Sequence, residues 1–377
     1  MNSMKHVHWL GTGLSSIPGI RRLAKQLDNF TVWNRTLSKA EVAINHVNKP
    51  NVLAKIFDLD KISSLLKTGD IVISQLPANQ HMKIAKICLE KNCHFVSSSY
   101  ISNEIRSLDE EVKKKGLTFI NEIGLDPGID HFFSHLMVND LKNLNQENIS
   151  VSYQSYCGGF PAIPNDFKYK FSWSPVGVIK ALNNDAKFIK NFETHTKIPY
   201  KNIGKYKVNN ENYEAYPNRD STPYIKEYKF DPSWKINEFV RGTLRLNGWQ
   251  EAWSGIFNLL DNKNPDLDNQ IIKLGDELWK KHPYENNEED RVVLYVKLKA
   301  EKNNKQIFES SYFLDEKGSG ENTAMGKLVS LTLSAAIDLM MKDKLSSGVI
   351  AAPYEKDLID YFFNILKENN INIKKNI

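Results

Sequence analysis

Cysteine is scarce in this chain. The 377 residues hold three, Cys88, Cys93 and Cys157, an odd number without the paired spacing of a metal site. That argues against a disulfide framework, which wants an even set in a much smaller chain, and no metal is expected. A reducing, cytoplasmic setting is implied. Long apolar runs are lacking as well: the sequence enters a strand with no apolar leader, and no stretch approaches the roughly 18 apolar residues needed to cross a bilayer. No membrane partner is expected. Nor does one sign of charge dominate, since 50 basic residues against 45 acidic ones leave a net charge of +5 spread along the chain. A nucleic-acid surface is therefore not expected, and the short Lys374-Lys375 pair reads as a solvated face. Repeats and low-complexity segments are missing too.

What is present suits a globular enzyme. The 41% hydrophobic and 25% charged fractions lie near the averages for folded soluble domains, and the length suggests two or three domains. Residues 5–10 read as a strand, after which Gly11-Thr12-Gly13 opens a helical stretch with Ile20, Leu23, Ala24 and Leu27 on one face. The alternation continues with strands at 30–33, 52–57, 70–76, 94–98 and 117–121. Short apolar strands such as Ile71-Val72-Ile73 suit burial on both faces. The pattern predicts an α/β fold whose first part is a Rossmann doubly wound parallel sheet.

After residue 145 the texture changes. Ile149-Ser150-Val151-Ser152-Tyr153 alternates, and Val292, Leu294, Val296, Leu298 and Ala300 recur at period two before Asn303-Asn304. A mixed or antiparallel sheet is predicted there, with helices at 174–183 and 248–260. From residue 321 the chain turns helical, with Met325, Leu328, Val329, Leu331, Thr332 and Ala335 at helical spacing. The expected division is a dinucleotide-binding domain, 1–128, completed by 321–377, and a second α/β domain, 129–320, for substrate binding and dimerisation. The protein is expected to be a homodimer.

Gly11-Thr12-Gly13, with Leu14 and Ser15, sits where a dinucleotide loop belongs: the first glycine permits the turn and the second lets the backbone approach a pyrophosphate. Ser16 replaces the third glycine of the usual motif, so the match is partial. At the end of the second strand stands Asn34-Arg35-Thr36, with no carboxylate to repel a 2′-phosphate. Arg35 can stack on adenine and pair with that phosphate, which favours NADP(H); the plainer alternative is a solvated surface charge. Ser74-Gln75-Leu76-Pro77 and Ser97-Ser98-Ser99-Tyr100 end the fourth and fifth strands, where ligands of such sheets bind.

The sixth strand runs into Asn121-Glu122-Ile123-Gly124-Leu125-Asp126-Pro127-Gly128-Ile129-Asp130-His131. Three carboxylates and an imidazole gather there, and Pro127-Gly128 holds Asp126 in a defined turn. Asp126 reads either as a proton-handling group or as a helix N-cap, and His131 can equally be a structural histidine.

This segment resembles the signature of saccharopine reductases. Ser99-Tyr100, Ser155-Tyr156-Cys157-Gly158-Gly159, Tyr169-Lys170-Phe171-Ser172-Trp173-Ser174, Tyr216-Pro217-Asn218-Arg219-Asp220-Ser221, Arg241-Gly242-Thr243-Leu244-Arg245 and Met325-Gly326-Lys327-Leu328-Val329 follow in the family's order. The resemblance implies NADPH as hydride donor and a reaction joining glutamate to 2-aminoadipate 6-semialdehyde to give saccharopine. On this reading the cofactor contacts also take in Asp58, Ile123, Leu125, Asp126, Pro127 and Ser174. The amino-acid substrate would meet Ser99, Tyr100, Asp126, Arg219, Thr243, Leu244 and Arg245.

Asp126 is the first catalytic candidate and Cys157 the second, the latter open to reading as a small buried hydrophobe. Arg219, in a Pro-Asn-Arg-Asp turn, suits a carboxylate, or else a salt bridge to Asp220. Arg245 alternates with Leu244 and Leu246, which points it away from their apolar face. Two positions depart from the family: the loop after Gly159 reads Phe160-Pro161-Ala162-Ile163-Pro164-Asn165, and Val176 stands where arginine is common. They keep open a carboxynorspermidine-type reductase acting on a polyamine imine. A non-catalytic Rossmann sensor is the other rival.

Overall fold

A computed structural model describes residues 5–262 and 264–376. Six short strands open the chain: β1 (Val7–Leu10), β2 (Phe30–Asn34), β3 (Val52–Ile56), β4 (Ile71–Ser74), β5 (His94–Ser97) and β6 (Thr118–Ile120). Eight more follow: β7 (Ser150–Pro161), β8 (Ala186–Lys190), β9 (Glu193–Lys197), β10 (Gly204–Val208), β11 (Glu211–Pro217), β12 (Lys235–Leu246), β13 (Glu289–Lys302) and β14 (Lys305–Ser319). The chain closes with β15 (Gly348–Ile350) and β16 (Ile373–Asn376). These elements fall into two compact units, one running to Phe132 and resuming over Met325–Ile371, the other holding Phe133–Ala324 and the residues from Asn372.

The first unit is a seven-stranded sheet in the order β15-β6-β5-β4-β1-β2-β3, every neighbouring pair parallel. Strands of such a sheet are covered on both faces, and Ile71, Val72 and Ile73 are all inaccessible to solvent. The order reverses between β1 and β4, the point where doubly wound sheets open a crevice at their strand ends. β15 is a seventh strand that the helical reading of the tail did not contain.

The missing third glycine of the dinucleotide motif is made good by Gly19, three residues after Ser16. Its N–H donates to Ser330 Oγ at 2.8 Å, and a Cβ at this position would run into the Ser330 carbonyl. Close approach of the helix Ile17–Gln26 to the helix Ala324–Met341 therefore depends on that glycine. Against the expectation that no apolar stretch is long enough to cross a bilayer, the helix Ala324–Met341 meets the length and composition, with mean hydropathy 1.4. It is 72% buried inside the protein, as a core helix is.

The second unit is a mixed sheet in the order β10-β11-β12-β7-β13-β14-β16, with β8 and β9 attached at β12. β7 and β12 run parallel and the other neighbours antiparallel. Asn303 and Asn304, at φ +52° and +60°, form the two-residue turn between β13 and β14, a conformation asparagine tolerates. The helix expected at 174–183 is Pro175–Asn183, capped by Ser174; the one at 248–260 breaks into Trp249–Ala252 and Ser254–Asp261. A further helix, Leu267–Lys281, lies between them and β13.

The end of the tail differs from the expectation that 321–377 would complete the first domain. β16 pairs with β14 in the second sheet, where Lys375 reaches Asp140 at 2.8 Å and lies over the Tyr312 ring. Its strand covers an otherwise open sheet edge.

Candidate active site

In the first unit the strand ends gather a nucleotide-sized set of polar groups. Gly11 ends β1 at φ +99°, and a Cβ there would lie 2.8 Å from the Gln75 carbonyl, so the turn requires glycine. A Cβ on Gly13 would meet nothing within 4 Å, which leaves that backbone open to approach. Thr12 Oγ1 and Ser16 Oγ are buried with no hydrogen-bond partner among the described residues. Buried hydroxyls left unsatisfied before a helix of ten residues fit a phosphate. Leu14 is exposed and Ser15 half-buried in the same turn.

At the end of β2, Asn34 Nδ2 donates to the Thr36 carbonyl at 3.1 Å, shaping the turn that presents Arg35 and Thr36 to solvent. Arg35 has no ion-pair partner among the described residues. These groups fit a dinucleotide bearing a 2′-phosphate: Gly11–Ser15 for the pyrophosphate and Arg35 with Thr36 for the phosphate. Asp58, past β3, spends one carboxylate oxygen capping the helix Leu59–Leu65 through the Asp60 and Lys61 N–H groups, each at 3.0 Å.

Beneath β4 and β5 lies a feature that sequence reasoning missed. His81, 4% exposed, meets Ser74 Oγ with Nδ1 at 2.9 Å and Ser99 Oγ with Nε2 at 2.8 Å; Ser97 Oγ is 3.4 Å away. Burial pulls its pKa down to about 4, so the ring is neutral at physiological pH. Ser74 and Ser97 are thus part of a scaffold. Gln75 Nε2 reaches across to Ser98 Oγ at 3.0 Å, while Leu76 packs inward and Pro77 stays exposed. No sequence motif would have linked His81 to these serines, because the contact exists only once β4 and β5 are neighbours.

From 121 to 134 every residue is buried except Asp126. Ile123, Leu125 and Pro127 fill the interior around it. The helix that follows begins at Ile129, so Gly128 stands at its cap and Asp126 does not. The Asp126 carboxylate instead accepts the Tyr100 hydroxyl at 3.2 Å through Oδ1. His131 is wholly internal, its Nε2 2.9 Å from Glu122 Oε2.

In the second unit Cys157, Thr243 and Arg245 share one face of the sheet. Thr243 is in register with Cys157 on β7 and Tyr216 on β11, and Arg245 with Glu214. Successive strand residues point to opposite faces, so Leu244 and Leu246 join Phe160 and Val293 in a hydrophobic cluster while Arg241, Thr243 and Arg245 face the other way. Cys157 is buried and forms no disulfide.

Arg245 is 5% exposed, with its guanidinium 4.8 Å from the centre of the Tyr169 ring, 5.3 Å from Trp249 and 5.5 Å from Tyr216. Its Nη1 donates to the Leu244 carbonyl at 3.3 Å, and no carboxylate pairs with it among the described residues. Glu214, the nearest by register, is taken by the Gly248 and Gln250 N–H groups at 3.0 and 2.7 Å and by Lys205 at 3.3 Å. A buried cation without an anion is costly. A planar guanidinium in such surroundings suits a carboxylate. Arg241, which the sequence reading left out of the site, lies over the Tyr224 ring at 4.1 Å on the same face.

Arg219 is exposed at φ +59°, anchored by Lys187 N–H donating to its carbonyl at 2.8 Å. Asp220, the salt-bridge partner weighed for it, spends its carboxylate on the Thr222 N–H and hydroxyl at 2.9 and 2.6 Å. Ser174 Oγ accepts the Gly177 N–H at 3.2 Å as a helix cap. Val176 packs so closely on Gly275 that no side chain fits between them.

Residues 7–120 match the model of the saccharopine dehydrogenase NADP binding domain, and residues 124–371 that of the saccharopine dehydrogenase C-terminal domain. The chain belongs to the saccharopine dehydrogenase family. Its first domain is accordingly an NADP binding domain, in agreement with the open Gly11–Ser15 turn and Arg35.

Saccharopine dehydrogenase [NADP(+), L-glutamate-forming] of Saccharomyces cerevisiae is 35% identical over 260 residues, 66% of this chain and 56% of that one. The chain thus spans little more than half the length of that relative, and 28% of alpha-aminoadipic semialdehyde synthase from Rattus norvegicus, at 33% identity over 69% of this chain. A solved structure of the apo L-Glu-forming saccharopine dehydrogenase from Saccharomyces cerevisiae superposes with a TM-score of 0.79 at 27% identity, covering 99% of both chains.

Proposed function

We propose that this protein is an NADP(H)-dependent saccharopine reductase: it condenses L-glutamate reductively with 2-aminoadipate 6-semialdehyde to saccharopine, or runs the reverse oxidation, in lysine metabolism. The observation that carries this reading is Arg245, a buried guanidinium caged by aromatic rings with no carboxylate of its own. Saccharopine brings three carboxylates, and a planar guanidinium holds one through two parallel hydrogen bonds. Arg219 is the second anchor, on a loop that can present its fork to a ligand. Thr243 adds a hydroxyl and Leu244 its backbone.

Bound NADPH supplies the hydride. Gly11, Thr12, Gly13, Leu14 and Ser15 hold the pyrophosphate, Arg35 with Asn34 and Thr36 the 2′-phosphate. Asp58, Gln75, Leu76, Pro77, Ile123, Leu125 and Pro127 complete the cofactor contacts. Hydride addition to an iminium needs little acid help, so the proton transfers fall in carbinolamine formation and loss of water. Asp126 handles those protons, held by the Tyr100 hydroxyl at the one partly exposed point of an otherwise buried segment. Cys157 stands beside the reacting nitrogen. The active protein is a cytoplasmic homodimer whose second domain, 129–320, binds the amino acid and carries the subunit contact.

An absorbance assay at the reduced-nicotinamide band tests the reading, with saccharopine and either NADP⁺ or NAD⁺. Turnover of saccharopine with preference for NADP⁺ is expected. Turnover only with carboxynorspermidine-type substrates would replace it with the polyamine alternative, and a dye-binding signal for NADPH without any turnover would favour a sensor.

A further inference from the structure

Three buried side chains outside the ligand-contacting set form one chain of contacts in the first unit. Glu122 Oε1 accepts the Ile101 N–H at 2.9 Å, and its Oε2 meets His131 Nε2 at 2.9 Å. His131 Nδ1 lies 3.5 Å from Asp130 Oδ2, and Asp130 Oδ1 accepts the Gly128 N–H at 2.7 Å. The two ends of this chain are the flanks of the residues that matter. Ile101 follows Tyr100, and Gly128 closes the turn that carries Asp126. Glu122 also donates its own N–H to the Ser99 carbonyl at 3.0 Å, so a single residue grips the backbone on both sides of Tyr100.

The side chains of Glu122, His131 and Asp130 are 7%, 2% and 0% exposed, which shields the contacts from water and from salt. Glu122 holds φ +54°, a left-handed conformation that a non-glycine residue keeps only where its surroundings over-determine it. Breaking a buried network of this kind is strongly unfavourable, so it has one arrangement.

We propose that Glu122, His131 and Asp130 are positioning residues: a buried brace that fixes the Tyr100–Asp126 pair in its proton-handling geometry without touching either ligand. The proposal rests on the reading of Asp126 as the proton-handling group. Glu122→Ala removes both side-chain contacts, whereas Glu122→Gln keeps an acceptor for the Ile101 N–H. In the full chain, Glu122→Ala is expected to lower kcat for saccharopine oxidation by roughly thirtyfold with the NADPH Kd unchanged within about twofold, and Glu122→Gln to recover most of that. Amide hydrogen exchange at Ile101 and Gly128 should quicken together by about tenfold or more in Glu122→Ala and not in Glu122→Gln. Adding Tyr100→Phe to Glu122→Ala should cost little further kcat, since both changes undo one geometry.

A wild-type kcat in Glu122→Ala, unchanged exchange at either amide, or costs that multiply in the double variant would overturn the brace. Where Glu122→Ala does not fold, His131→Asn breaks the same chain at its centre and is read by the same exchange. If the wild-type protein turns over no saccharopine, the substrate reading fails while the exchange result still decides the brace.

Discussion

Two sets of buried polar groups, one in each unit, are treated in opposite ways. In the first, Glu122, His131 and Asp130 close on one another, and His81 closes on Ser74 and Ser99. In the second, Arg245 sits among three aromatic rings with its charge unanswered. Groups that satisfy each other make a frame; a group that is buried without a partner of opposite charge suits a ligand of matching chemistry. On the proposed reading, the same degree of burial therefore marks a scaffold in one place and a ligand contact in the other.

The largest effect should come from the open site. Arg245→Ala is expected to raise KM for saccharopine by roughly a hundredfold or more, the size of a lost buried charge pair, while NADPH binding measured by fluorescence stays put. Arg245→Lys should recover little, because an ammonium lacks the planar fork. An unchanged KM would remove Arg245 from the site and leave its burial without a purpose.

The closed network can be broken by acid instead. His81 is held at about 4 against an ordinary 6.5 because burial disfavours its charged form. The folded value lies below the unfolded one, so its contribution is complete above about pH 6.5 and is lost as pH falls from there toward 4. Between pH 7 and 4.5 the wild type should lose about 2 kcal/mol of unfolding free energy on this account. Urea denaturation of His81→Gln should show a correspondingly shallower slope, and an identical slope would mean the ring is already charged in the fold.

A smaller change is expected at the exposed edge, where Arg35 is neither caged nor paired. Arg35→Ala should reduce the preference for NADPH over NADH roughly tenfold, about 1.5 kcal/mol for one charge-assisted contact. Equal loss for both cofactors would place Arg35 on the adenine ring and not on the 2′-phosphate.

These differences also explain how much could be read from the amino acids alone. Ile71-Val72-Ile73 announced a parallel strand because its burial is local and continuous, and the alternation of Arg245 with Leu244 and Leu246 gave the side it faces. What sequence order could not express was adjacency between distant elements. His81 finds its serines only because β4 lies beside β5, and Glu122 meets Ile101 across a similar gap. Gly19 meets Ser330 across 311 positions of sequence. The short strands β15 and β16 escaped notice for the same reason: three or four residues carry too little periodicity, and their partners are remote. Val176, a departure from the family's pattern, has Gly275 as its neighbour, another contact between distant residues.

β15 has a consequence for the order of events during synthesis. It completes the first sheet beside β6, in a corner where Thr118 Oγ1 bonds the Ser346 carbonyl 228 positions away. Everything from β7 to β14 must leave the ribosome before that edge can close. Until then β6 presents an unpaired flank, an exposed template for unwanted strand pairing. The nascent chain thus has an interval of vulnerability as long as the translation of its entire second domain, and the cell's chaperones would meet it there.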